Sequence, residues 1–193
     1  MSLILASSSP IRRELLANAG VEVRVVAPAC DEDFIKERHS GDGATLARRL
    51  AEMKAQSVAV AADDWVIGSD STVTLDRVRY SKPRDRDEAA RHLAAFSGRT
   101  LELASAAALV RGGKVDWSVA DVAHLHVRPL SKAFIDDYLD AEWPEVAYCV
   151  GVFRMEGRGV TLFERVEGSH FTILGLPLLP LLSALRQRDV MAS

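Results

Sequence analysis

Carboxylates stand at Asp31, Glu32 and Asp70, cations at Arg12, Lys54 and Lys82, and hydroxyls at Ser7, Ser8 and Ser9. A hard divalent ion such as Mg²⁺ takes one or two protein carboxylates and completes its shell with phosphate oxygens and water. Lysine and arginine grip the same phosphates as point charge and as planar fork. This combination points to metal-assisted phosphoryl or nucleotidyl chemistry rather than acyl transfer. The chain has no nucleophile elbow, no Walker A loop and no His or Cys metal spacing. Asp70 stands out because Gly68-Ser69-Asp70-Ser71 interrupts an apolar run, where a buried carboxylate needs a partner. Asp31-Glu32-Asp33 reads equally as an acidic loop, and Glu88 reads most simply as a first-turn helix charge.

These groups need elements to aim them. The run Leu3–Ala6 has strand length; Ser9 and Pro10 then suit the N-cap and first position of a helix that Gly20 stops. A strand feeding a helix N-terminus presents free N–H groups to an anion, with the three serines and Arg12 or Arg13 as further donors. A capped surface helix with solvated arginines fits the same residues. Further strands are expected at Val21–Val26, Val66–Gly68, Ser71–Leu75, Leu101–Val110 and Val122–Val127, with Gly112-Gly113 turning the last two into a hairpin. Helical spacing predicts Ala44–Ala61, Asp85–Phe96, Ser131–Leu139 with Ser131 as N-cap, and Pro177–Arg186. Gly157–Glu164 reads as a strand after the tight turn Gly157-Arg158-Gly159, and Lys82-Pro83 starts another turn. Interleaved helices and strands with an internal hairpin predict an α/β fold with a mixed, partly antiparallel sheet. No repeat, linker or domain boundary is visible.

The 193 residues suffice for a real core in one domain, and 48% hydrophobic with 26% charged residues is a folding composition. A net charge of −3 argues against broad binding to nucleic acid or anionic membrane, so any polyanion must meet locally placed cations. Cys30 and Cys149 make neither a disulfide framework nor a metal pair and read as small buried hydrophobes. His124 and His126 share one strand parity, which more often marks a half-buried face than a metal pair; His39 and His92 read as solvated. No signal-peptide pattern or apolar run of roughly 18 residues is present, so a cytoplasmic location is expected.

Several separated motifs agree on one family. Leu5-Ala6-Ser7-Ser8-Ser9-Pro10 with Arg12-Arg13-Glu14-Leu15-Leu16 resembles the opening signature of the Maf family of nucleoside triphosphate pyrophosphatases. So do, in family order, Asp31-Glu32, Leu50-Ala51 with Lys54-Ala55, Gly68-Ser69-Asp70, Lys82-Pro83, Ser97-Gly98 and the tail from Gly157 through Gly175-Leu176-Pro177-Leu178. The resemblance covers nearly the whole chain and implies a single domain over residues 1–193. It implies a mixed-sheet α/β fold with two lobes around a deep nucleotide cleft. The implied reaction is cleavage of a nucleoside triphosphate between the α- and β-phosphates, with a divalent metal (Mg²⁺ or Mn²⁺), giving monophosphate and pyrophosphate. Carried over residue by residue, Asp70 is the proton acceptor for water or a metal ligand, and Glu32 helps hold the metal. Ser7, Ser9, Arg12, Lys54 and Lys82 grip the triphosphate.

The stretch Gly151-Val152-Phe153-Arg154-Met155-Glu156-Gly157 is similar to the branch that cleaves 7-methyl-GTP; the branch acting on dTTP and UTP carries Gln in place of Glu156. Ile11 departs from the Arg of one branch and the Trp of the other, Ser71 from their Thr or Gln, and Ser169-His170 replaces a usual acid. Ile11, Ser71 and Glu156 are therefore the expected specificity positions, and base preference stays open between the branches. The family also implies a homodimer as partner. A non-catalytic nucleotide-binding regulator of cell division is the alternative, disfavoured by the joint presence of Asp70, Glu32, Lys54 and Lys82.

Overall fold

In the computed structural model, residues 1–192 are described. A seven-stranded mixed sheet forms the centre, in the order β2-β1-β3-β5-β6-β7 with β4 paired to β3. Strand β1 (Leu3–Ala6) runs parallel to both β2 (Arg24–Val26) and β3 (Trp65–Leu75). Strands β5 (Thr100–Arg111), β6 (Lys114–Val127) and β7 (Phe163–Glu167) continue antiparallel, and β4 (Val78–Tyr80) closes a short hairpin on β3. The α/β mixed sheet is the expected one. Gly112 and Gly113, both at positive φ, make the two-residue turn between β5 and β6 as the sequence predicts.

Helix α1 (Pro10–Asn18) starts after Ser9 and is followed by Gly20 at φ +72, although the Ser9 side chain makes no capping bond. Helix α2 (Glu32–Arg38) occupies what also reads as an acidic loop: Asp31 is its N-cap and accepts the Phe34 N–H at 3.0 Å. Such a cap stabilises by about 1 kcal/mol. Helix α3 (Gly43–Gln56) stops short of the Ala61 that its spacing predicts, because the Ser57 hydroxyl donates back to the Lys54 carbonyl and closes the last turn. Helices α4 (Arg86–Phe96) and α5 (Lys132–Glu142) carry Asp85 and Ser131 as N-caps. Helices α6 (His170–Ile173) and α7 (Leu178–Arg186) complete the chain.

Several expectations need correction. The second strand begins at Arg24 rather than Val21, because Val21 packs into the apolar cluster under α1. The two runs around Gly68-Ser69-Asp70 are one continuous strand, so Asp70 lies within β3 and not at a strand end. Gly157–Glu164 is a 3₁₀ turn over Arg158–Leu162 followed by β7. His92 is half-buried, edge-on to Tyr80 at 5.0 Å, with its pKa lowered by burial; it is not a solvated residue. Cys30 and Cys149 are half-buried rather than fully so.

Two apolar clusters sit at opposite ends of β3. One gathers Trp65 and Ile67 with Leu16, Leu181 and Leu185; the other gathers Val73 and Leu75 with Phe96, Leu125 and Leu139. The polar stretch Ser69–Thr72 lies between them. Among the described residues no helix is long and apolar enough to cross a membrane.

Candidate active site

The sheet topology opens the site. Strand β5 pairs with β3 continuously from Trp65 to Thr74, which occupies one edge of β3. On the other edge β1 covers only Trp65 to Gly68 and β4 only Val73 to Leu75. Ser69, Asp70, Ser71 and Thr72 are thus left without a strand partner on that side. The gap lies at the carboxyl end of β1, where open α/β sheets characteristically bind ligands.

Alternation along β3 sends neighbouring side chains to opposite faces. Gly68, Asp70 and Thr72 face α3: Thr72 donates to the Gly43 carbonyl at 3.0 Å, and Gly68 leaves room for the α3 backbone. A Cβ at Gly68 would overlap the Ala51 carbonyl oxygen and stand 2.8 Å from the Ala55 nitrogen. Ala47 and Ala51 of α3 rest on Ala104, Ala106 and Ala108 of β5, so small residues on both sides draw the helix close. That approach brings Lys54 to the strand. Its Nζ pairs with Asp70 Oδ1 and, at 2.9 Å, with Glu32 Oε1 from the first turn of α2. Lys54 and Asp70 are both buried, 8% exposed each, so either charge alone would be costly and each needs the other. Glu32 also pairs with Lys36 at 3.0 Å. Burial on its own pushes the Glu32 carboxyl up, but hydrogen bonds and charge from Lys54, then Lys36, outweigh it and bring its pKa down to about 2.

On the opposite face Ser69 and Ser71 meet α1 and the turn after α6. Arg12 donates from Nε to the Gly175 carbonyl at 2.8 Å, from Nη2 to Ser71 Oγ at 2.9 Å and from Nη1 to Ser7 Oγ at 3.4 Å. Ser69 Oγ donates to the same Gly175 carbonyl at 3.1 Å, and Ser7 Oγ accepts the Ser9 N–H at 3.2 Å. Burial lowers the Arg12 pKa, opposed by the charges of Asp70 and Glu32, which reach it across the gap. The gap therefore carries two carboxylates and a lysine on one side and an arginine with serine hydroxyls on the other.

The expected site residues divide accordingly. Glu32, Lys54 and Asp70 form one cluster; Ser7, Arg12 and Ser71 form a second beside it; Ser9 lies at the α1 N-cap. Asp31 is occupied in capping α2. Lys82 and Glu156 are exposed and, among the described residues, neither side chain has a hydrogen bond or ion pair to either cluster; both charges bear on Cys149. Ile11 is half-buried against the apolar cluster under α1 and α7. His124 is exposed, while His126 bonds to Thr100 and Arg165. Among the described residues no group of three or more His, Cys, Asp or Glu side chains converges as a metal cage. The pair Glu32 and Asp70, converging on one ammonium nitrogen, fits instead the sparse carboxylate set of a Mg²⁺ whose other ligands are phosphate and water.

Sequence reasoning missed Lys36, Ser105, Thr172 and the buried Glu142, which pairs with Arg154 at 2.9 Å just ahead of Glu156. Ser105 was readable as the single hydroxyl in the run Ala104-Ser105-Ala106-Ala107-Ala108.

The family model described as Maf-like protein matches residues 2–188. The chain is 49% identical over 189 residues to the 7-methyl-GTP pyrophosphatase of Rhizobium meliloti (strain 1021), spanning 96% of this chain and 95% of that protein. It is 46% identical over 193 residues to the nucleoside triphosphate pyrophosphatase of Nitrobacter hamburgensis, spanning 98% and 95%. A 7-methyl-GTP pyrophosphatase of Rhizobium etli is 46% identical over 190 residues, spanning 96% and 95%.

Proposed function

Because this chain belongs to the Maf-like protein family, we propose that it is a nucleoside triphosphate pyrophosphatase, splitting its substrate into a nucleoside monophosphate and pyrophosphate. The observation that carries the reading is the buried Lys54 ammonium held between Asp70 and Glu32 at the gap in the sheet, with Arg12 across it. Water attacks the α-phosphorus, and Asp70 accepts its proton. Lys54 and Arg12 then face charge that grows on the phosphate oxygens, with Ser7 and Ser9 adding neutral donors. Fixed donors aimed at developing charge supply the largest share of such rate enhancements. Lys82, in the turn ahead of α4, adds a cation to the outer phosphates.

Glu32 and Asp70 would hold a divalent cation. Such an ion, when bound, supplies charge neutralisation to the phosphates. Lys54 keeps the two carboxylates converged in its absence, which limits their mutual repulsion and keeps both ionised side chains aimed at one point.

The relatives named 7-methyl-GTP pyrophosphatase support a methylated guanine nucleotide as the first substrate to try. Glu156 can accept hydrogen bonds from a guanine N1–H and amino group, whereas glutamine can also donate to a pyrimidine carbonyl. Ile11 contributes an apolar side chain rather than an aromatic face. The test incubates the protein with Mg²⁺ or Mn²⁺ and a panel of common and methylated triphosphates, separating pyrophosphate from orthophosphate. Pyrophosphate release favouring 7-methyl-GTP is expected. Orthophosphate release, or nucleotide binding without turnover, overturns the reading.

A further inference from the structure

Ser71, Ser105 and Asp121 stand directly opposite one another on β3, β5 and β6, forming a polar row across the three strands. Ser105 is fully buried, as is Thr172 of α6 above it. Hydroxyls buried in this way are costly unless bonded. Here they are bonded in one direction only. Ser105 Oγ donates its single hydrogen to the Thr172 carbonyl at 2.8 Å. Its contact with Ser71 Oγ, at 2.9 Å, must therefore be one in which Ser71 donates. The Gly175 carbonyl, 3.4 Å from Ser71 Oγ, is the poorer acceptor for that hydrogen. Ser71, having given its hydrogen away, offers a lone pair to Arg12 Nη2. Thr172 is itself fixed by donating its hydroxyl to Asp121.

We infer that Ser71 and Ser105 are positioning residues that relay from the α6 backbone to Arg12 and hold its guanidinium turned toward the gap in the sheet. The relay starts at a cation and ends at a carbonyl, so each bond polarises the next in the same sense. Gly175 completes the clamp by accepting from Arg12 Nε. Of the five N–H donors of a guanidinium, three are thereby engaged, by Gly175, Ser7 and Ser71, and two are left for a phosphate. Because the relay ends on Arg12, Ser71 acts through the guanidinium that faces the gap. The inference rests on Arg12 being a phosphate contact, as proposed above.

The experiment measures calorimetric binding of inorganic tripolyphosphate, and kcat and KM for pyrophosphate release, in four proteins: the wild type, Ser105→Ala, Arg12→Ala and the double variant. Ser105→Ala is expected to weaken tripolyphosphate about fivefold, the scale of one neutral hydrogen bond, and to raise KM more than it lowers kcat. In the Arg12→Ala background the same substitution should cost nothing further, since Ser105 acts only through Arg12. Ser71→Thr, which keeps the hydroxyl, should retain affinity that Ser71→Ala loses. An equal loss in both backgrounds, or no loss in either, overturns the inference, as does unchanged tripolyphosphate affinity in Arg12→Ala. Coupled binding without turnover would leave the relay standing and remove the pyrophosphatase reading; turnover with additive losses would do the reverse.

Discussion

Gly68 lies directly beneath the Ala51 carbonyl of α3, so that a single added carbon at residue 68 would collide with that oxygen. This contact lets the helix lie low enough for Lys54 to meet Asp70 two residues further along the strand. Gly68→Ala is therefore expected to destabilise the fold by about 3 kcal/mol, the upper range for overpacking a core, because backbone must move. Urea denaturation reads the midpoint. A midpoint equal to the wild type would mean that α3 does not depend on this approach.

Asp70→Asn keeps the shape of the side chain and leaves Lys54 its contact with Glu32. Turnover should fall about a thousandfold, within the range for loss of a general base. Far-ultraviolet circular dichroism and nucleotide affinity should change little. Residual activity near the wild-type level would remove Asp70 from the proton-accepting role.

Glu156→Gln should alter base preference more than total activity, because Glu156 is exposed and outside both charged clusters. The ratio of kcat/KM for 7-methyl-GTP to that for UTP is the measurement. An unchanged ratio would assign base reading elsewhere.

Glu32 carries a pH dependence of known sign. Its carboxyl lies at about 2 in the folded protein against an ordinary 4.5. A depressed folded pKa gives stability that is fully present above the unfolded value and is lost as pH falls through the folded one. The difference in melting temperature between the wild type and Glu32→Gln should thus be constant above about pH 5. It should shrink as pH drops from about 4.5 toward about 2. A difference that persists unchanged to about pH 2 would contradict the Lys54 and Lys36 pairings.

Cys149 is a poor nucleophile at neutral pH: burial, then the charge of Glu156, pushes its thiol up to about 11. Since the thiolate is the reactive form, iodoacetamide at about pH 8 should label it far more slowly in the native than in the denatured protein. Mass spectrometry of the labelled peptide decides the matter; equal rates would place the thiol in open solvent.

Much of this protein was determined locally. Asp85 and Ser131 cap their helices, Gly112-Gly113 turns its hairpin, and the alternation of β3 separates Asp70 from Ser71, because caps, turns and strand parity depend on residues only a few positions apart. The residue types at Glu32, Lys54 and Asp70, which raise the expectation of phosphate chemistry, are likewise plain in the sequence. What they did to one another was not local. Lys54 and Asp70 are 16 residues apart, Arg12 and Gly175 are 163 apart, and their meeting depends on the gap that β1 and β4 leave along one edge of β3. Strand pairing across such separations follows from which long-range contacts bury the most surface together, and a carbonyl that serves as an acceptor has no side chain to mark it in the sequence. Gly175's role as an acceptor and the direction of the Ser71–Ser105 relay were therefore decided only by the tertiary structure.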